Sequence, residues 1–492
     1  MWWLIVALIL IIVVGVVLWH FAFVAESPSP SSTPSKDVVY DYIIVGGGIA
    51  GTRMYNQLIQ RGFTVLLMER DRIGGRLLTR AVTAKPATGD PIPSSGELIE
   101  YGAMRYFPET QHLSAKLVGN NRCIPYKIID SNVLYDGVAH STFYLPESGM
   151  LASEVPERLT ELLREEVGDL ENERLWMYRY GQGKTTRGLL SRLLSPRDVD
   201  AYLTSTGYGD LFADTVNAGV YIHDSSNLLG YDMCFVKGGW QSIALEQVRD
   251  RRGVLEHTAA SKIIGVPTAT IGSRGGIQYQ VSTNKDMNIT TQPYKGRNLV
   301  LALTPIQINQ IYLRNVEIPP LDGLITIPLF KMFIYFQQPW WGDVHAKHTG
   351  DGLIKQLYQY NANTLLIYNA GAAGTTLNDR LTNTTDADPQ VSLELTIRQL
   401  LWEINLMTRN PQPQDLERQA TQISYDHKYW EDGTVDVDLN ADGQAVLLGI
   451  SKHNRTPGTV KLVSDSYSPE PGWVDGALMT VEDALAGVPL RA

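Results

Sequence analysis

The stretch from Asp41 to Gly51, read Asp-Tyr-Ile-Ile-Val-Gly-Gly-Gly-Ile-Ala-Gly, constrains the fold more than any other part of the chain. Val38 to Val45 is a short, apolar, β-branched run, the pattern of a buried parallel strand. Gly46, Gly48 and Gly51 follow at G-x-G-x-x-G spacing. The first permits a tight turn, the second lets backbone approach a pyrophosphate, and the third lets a helix pack closely on the strand. The spacing predicts a helix over Ile49 to Gln60, with N-terminal amides and dipole directed at phosphate. A second apolar run, Phe63 to Met68, ends in Glu69, 23 residues after Gly46. A carboxylate there reaches ribose hydroxyls, which favours FAD or NAD over NADP.

Composition narrows the rest. The 492 residues suffice for two domains, and the formal charge of -10, without a basic run, argues against a nucleic-acid binder. The two cysteines, Cys123 and Cys234, are isolated; they are either buried thiols or partners of each other. The nine histidines form no ligand cluster, so no metal is expected.

Trp2 to Val24 is apolar except for His20 and long enough to cross a bilayer, with tryptophans at both ends. Its length, and the lack of a basic segment before it, favour a retained single-pass anchor over a cleaved signal peptide. Too few charges flank it to orient it. A Pro/Ser-rich spacer follows. Residues 81–96 read as a loop, and 109–235 as mostly helical, with Glu157 to Glu173 and Thr185 to Leu194 at helical spacing. Gly238-Gly239 leads into a helix, and short strands alternate through 254–282. Asn298 to Pro305, Leu329 to Phe336 and Asn363 to Tyr368 read as strands, 391–409 and Thr480 to Ala486 as helices. Asn288, Asn383 and Asn454 head N-x-S/T sequons.

From Val39 to Leu485 the chain resembles the flavin-containing amine oxidase family, particularly its L-amino-acid oxidase branch. The glycine fingerprint with Glu69, Gly74-Gly-Arg76, Gly102-Ala-Met-Arg105, Gly238-Gly239, Lys331 and the Gly472-Trp-Val-Asp-Gly-Ala segment carry the resemblance. It implies an α/β fold: a Rossmann-like FAD-binding domain joined to a mixed-sheet and helical substrate domain, here preceded by a transmembrane helix. The expected division is an anchor at 1–25, a linker at 26–37, and FAD-domain segments at 38–108, 236–305 and 441–492. Substrate-domain segments occupy 109–235 and 306–440.

The same resemblance implies roles for individual residues. Non-covalent FAD would meet Gly46, Gly48, Ile49, Ala50, Gly51 and Glu69, then Arg70, Gly75 and Arg76 beside the diphosphate. It would also meet Gly102, Ala103, Met104 and Arg105, and near the C-terminus Asp465, Gly472, Trp473, Val474 and Ala477. Asp475 to Ala477 would approach the ring and pyrophosphate. Asp465, within Val463-Ser-Asp-Ser466, stands where the family carries a Gly-Glu pair, and its reach is shorter. No cysteine follows Cys234, so the covalent attachment of the monoamine-oxidase branch is not expected. Arg105 matches the arginine that clamps a substrate carboxylate, a task suited to its bidentate fork. Its plain alternative is an ion pair with Glu97 or Glu100. Lys331 matches the lysine that assists dioxygen chemistry through a water; Tyr368 matches a pocket tyrosine on the carboxylate, and Trp473 the aromatic facing substrate.

The reaction implied is oxidation of an L-amino acid C–N bond to an imine and then a 2-oxo acid, with ammonia and hydrogen peroxide released. The partners are thus a small amine or amino acid, dioxygen, and a membrane through the N-terminal helix, with homo-oligomerisation open. Rival readings are polyamine or monoamine oxidation, amino-acid monooxygenation, a flavin-dependent desaturase or isomerase of a lipid-like substrate, and a non-catalytic tethered flavoprotein.

Overall fold

The computed structural model describes residues 34–489, apart from 82–84, 87–97, 129, 174, 210, 212–213, 228–231, 269–275, 284–291, 342–344, 383–388 and 411–415. The expected anchor, the linker up to residue 33, Glu97 and the sequons at Asn288 and Asn383 lie outside the described residues. Among those described, no helix is long and apolar enough to cross a membrane.

Two sheets organise the chain. The first grows from β1 (Val39–Val45), which leads through the glycine turn into α1 (Ile49–Gln60) and then β2 (Val65–Met68). β3 (Val254–Leu255), β4 (Ala260–Thr268), β5 (Gly276–Thr283) and β6 (Tyr294–Leu301) complete its core. The order is β3-β2-β1-β6-β5-β4, with Tyr312–Arg314 beside β4 and Lys461–Leu462 beside β6. β3, β2, β1 and β6 run parallel, whereas β5 is antiparallel to both its neighbours. Their alternating residues fill two cores. Tyr42 and Ile44 pack with Met54 and Leu58 of α1, while Ile43, Leu66 and Leu299 face the other side.

The second sheet is built from β7 (Leu324–Phe336), β8 (Lys347–Gly350), β9 (Gln356–Gln359) and β10 (Thr364–Ala370). α2 (Pro389–Met407) then covers one face, and β11 (Ile423–Val437) pairs along the length of β7. The order Lys85–Pro86, β11, β7, β10, β9, β8 is extended by a hairpin of Val133–Tyr135 and Val138–His140. Phe330, Met332, Ile334, Leu365 and Ile367 pack on Leu400, Leu401 and Ile404 of α2. The opposite face of the sheet is turned to the interior of the molecule, and it lines the site.

Several expectations need correction. The block 109–235 carries strands as well as helices. The Val133–His140 hairpin turns at Asp136-Gly137, both with positive φ, a dipeptide made for such turns. Cys123–Tyr126 pairs with Met233–Val236, and Cys123 and Cys234 are joined in a disulfide. The helix near Glu157 to Glu173 ends at Val167, because Gly168 turns to positive φ, and continues only as a 3-10 turn. The C-terminal helix, α3 (Val474–Ala486), begins before Thr480. The long strand β11 escaped sequence reading because its cavity-facing residues are polar, which blunts the apolar contrast. The Asn454 side chain is 1 % exposed, bonded to both backbone groups of Leu462, and closed to glycosylation.

Candidate active site

Between the two sheets lies a cavity of about 1540 Å³, larger than the roughly 300–1,000 Å³ of a site for one small ligand. Its volume suits an extended cofactor with substrate beside it.

One end is the glycine turn. Gly46 has φ +106, and a Cβ there would stand 2.3 Å from the Ala302 carbonyl oxygen. A Cβ on Gly51 would stand 2.0 Å from the Gly46 carbonyl oxygen, so helix and turn touch through backbone. Gly48 differs: the nearest atom to its ideal Cβ is the Gly74 oxygen at 4.0 Å. It leaves open cavity before the N-terminus of α1, which no side chain caps. First-turn amides without intrahelical partners, opening on a cavity, fit a pyrophosphate. Gly47 N donates to one Glu69 carboxylate oxygen at 2.6 Å and Asp71 N to the other at 2.8 Å. Burial pushes the Glu69 carboxyl up while these amides pull it down. Each oxygen keeps a lone pair for a hydroxyl.

Arg70 and Gly75 also line the cavity. Arg76 lies there too, but its guanidinium is engaged by the Asp465 carboxylate and by the carbonyl oxygen of Gly433 at 3.0 Å. Asp465 in turn accepts from Gly472 N at 3.0 Å. The Arg76–Asp465 pair therefore binds the first sheet's loop to the segment before α3. Gly472, Trp473, Val474 and Ala477 line the cavity, with the Trp473 ring 5.4 Å from that of Phe107. Asp475 does not: its carboxylate accepts from Ser114 N at 2.6 Å and holds the helix His112–Val118.

The substrate-sized part of the cavity is built by strand register. Lys331 of β7 stands opposite Tyr368 of β10, and Tyr358 of β9 opposite Lys347 of β8. Tyr368 also pairs with Gln356, two residues before Tyr358, so all four side chains share one sheet face. Gly102, Ala103, Met104 and Arg105 run opposite. A Cβ on Gly102 would lie 1.5 Å from the Arg76 carbonyl oxygen, so the two loops meet through backbone.

Lys331 is 6 % exposed, and its Nζ donates to the carbonyl oxygens of Gly102 and, at 3.2 Å, Glu100. Burial drives its ammonium down to about 7, against the pull of Glu100. The Glu100 carboxyl is pushed up to about 7, also by burial. Glu100 accepts from Trp240 N at 2.7 Å and Thr79 Oγ1 at 2.9 Å, so it is not the partner of Arg105. Arg105 donates to the hydroxyls of Tyr358 and Tyr208, each at 3.3 Å, and its buried Nε has no partner among the described residues. No carboxylate among the described residues meets it.

Of the residues named from sequence, the structure brings Arg105, Lys331, Tyr368 and Trp473 to one cavity. Tyr208, Tyr358, Lys347 and Trp430 were missed, and Glu100 was named only as a partner of Arg105, whereas it lies beside Lys331. Tyr358 and Lys347 sit in short strands whose alternation alone carries no chemistry. Trp430 donates its Nε1 to Tyr101 O at 2.8 Å from β11.

Residues 44–117 match the NAD(P)-binding Rossmann-like domain family. A 91-residue stretch is 29 % identical to chloroplastic dihydrolipoyl dehydrogenase 2 of Arabidopsis thaliana, covering 18 % of this chain and 14 % of that one. The chain thus spans only a small part of that relative. Cyclohexylamine oxidase from Brevibacterium oxydans IH-35A superposes with a TM-score of 0.63 at 17 % identity, over 91 % of this chain and 98 % of that one. Wild-type putrescine oxidase bound to putrescine gives 0.60 at 14 % identity over the same shares. The chain has the fold of these two oxidases.

Proposed function

We propose that the protein is an FAD-dependent oxidase of L-amino acids. The observation that carries this reading is Arg105: a desolvated guanidinium in the cavity, facing three tyrosines and Lys331, with no carboxylate partner among the described residues. A buried unpaired cation is costly, and a substrate carboxylate offsets that cost. A diamine would place further positive charge beside Arg105, Lys331 and Lys347, which disfavours a polyamine.

The glycine turn, the uncapped start of α1 and Glu69 would hold the adenosine diphosphate half of FAD non-covalently. Gly102, Trp473 and the α3 N-terminus would stand beside its ring. When bound, FAD takes two electrons from the substrate and passes them to dioxygen, giving hydrogen peroxide. Arg105 and Tyr368 orient the substrate by its carboxylate, with the neutral amine toward Lys331. Near neutral pH Lys331 is poised to hold a water and to take up or return a proton at Nζ. Water hydrolyses the product imine to the 2-oxo acid and ammonia. The apolar segment 2–24 tethers the enzyme to a membrane in this reading, and the Cys123–Cys234 disulfide favours an oxidising side.

The test is product stoichiometry with the full-length protein and a panel of L-amino acids, diamines and cyclic amines. Equal amounts of 2-oxo acid, ammonia and peroxide from an amino acid support the proposal. An amide product identifies a monooxygenase, and peroxide from amines alone overturns the amino-acid reading.

A further inference from the structure

Lys347 is a second cation in the substrate part of the cavity, and the reaction does not use it. It lies on the same sheet face as Lys331, but β10 and β9 intervene. At about 4.8 Å per strand step the two backbones stand roughly 14 Å apart across the sheet. Its Nζ is 5.1 Å from the Tyr208 ring and 5.9 Å from the Tyr358 ring. Arg105 stands over that same Tyr358 ring at 5.4 Å. An ammonium has three donors, and among the described residues this one makes a single long bond, to Thr206 O at 3.3 Å. No carboxylate among the described residues reaches Lys347; burial holds its ammonium below the usual lysine range, and the like charge of Arg105 adds to that. Lys331 and Glu100 can balance one another, whereas Arg105 and, when protonated, Lys347 have no carboxylate partner among the described residues.

One α-carboxylate balances one of these charges. Resting on the amino-acid reading above, we propose that Lys347 binds a second carboxylate, so that the substrate class is acidic amino acids. The α-carboxylate lies on Arg105 and Tyr368, and the side-chain carboxylate extends along the sheet to Lys347. The Tyr358 ring lies near both cations and the Tyr208 ring near Lys347, and both rings favour positive charge beside them.

The experiment compares L-glutamate with the isosteric, neutral L-glutamine in the wild type, Lys347→Gln and Lys347→Arg. Calorimetric binding of the unreactive glutarate and of butyrate is measured alongside. The wild type is expected to favour glutamate in kcat/KM, and glutarate over butyrate in affinity, by roughly 10- to 100-fold. Lys347→Gln should abolish both preferences, and Lys347→Arg should restore most of them. Oxidation of glutamine or apolar amino acids with no glutamate preference, or a preference unchanged in Lys347→Gln, overturns the proposal and leaves the oxidase reading standing. Glutarate bound through Lys347 without oxidation of any amino acid instead supports the anion site and overturns the oxidase reading. A Lys347→Gln protein that loses glutamine and glutamate turnover alike, with a lowered Tm and Lys347→Arg intact, makes Lys347 a structural brace on the helix ending at Thr206 and refutes the proposal.

Discussion

Lys331 and Glu100 form a buried, pH-sensitive pair at the cavity. Burial lowers one and raises the other to about 7, so both change charge in the same window. Below it Lys331 is an ammonium; above it a free amine can accept a proton. Reoxidation of the pre-reduced protein by dioxygen is therefore expected to change with a midpoint near pH 7. In Lys331→Met it should slow by about 100-fold and lose that inflection. Stopped-flow reoxidation against pH checks this, and an unchanged inflection in Lys331→Met would remove the lysine from the mechanism. Arg105 belongs to the same scale. Its two tyrosine bonds orient the guanidinium without neutralising it, which keeps it available for an anion.

At the scale of elements, the glycine turn and the strand register do the positioning. Gly51 lets α1 lie against the turn, and a methyl there collides with the Gly46 carbonyl oxygen and the Ala302 Cβ. Gly51→Ala is expected to weaken FAD retention by roughly 10-fold or more, the scale of an overpacked contact. The FAD-to-protein absorbance ratio after gel filtration reads it, and full occupancy would contradict the account. This element was fully legible in sequence: β1, the turn, α1 and Glu69 obey local rules of spacing and φ. The second sheet was legible only in part. β7 and β10 carry enough apolar alternation to read as strands, and that placed Lys331 and Tyr368. β8 and β9 are four residues each and acquire meaning only through pairing, so Lys347 and Tyr358 could not be grouped before the register was known. Arg105 lies outside any regular element, and its company of Tyr208 and Tyr358, 103 and 253 residues distant, is a property of the tertiary fold alone.

At the scale of the whole molecule, the cavity exists because two sheets and a helical layer close around it. The Cys123–Cys234 bond spans 111 residues of chain and ties together the ladder that presents Tyr126 and Met233 to the cavity. Cys123→Ser is expected to cost about 3 kcal/mol of unfolding free energy. Chemical denaturation with and without reductant should shift the wild type toward the variant; identical midpoints in all samples would show the bond to be dispensable. The central claim, a flavin enzyme that takes its substrate by an α-carboxylate, is tested most directly by anaerobic mixing of the FAD-loaded full-length protein with L-amino acids. The account predicts bleaching of the visible flavin band by an amino acid, with kcat/KM reduced by at least about 100-fold in Arg105→Met. FAD bound yet unbleached by every amino acid, or bleached equally by wild type and Arg105→Met, would contradict it.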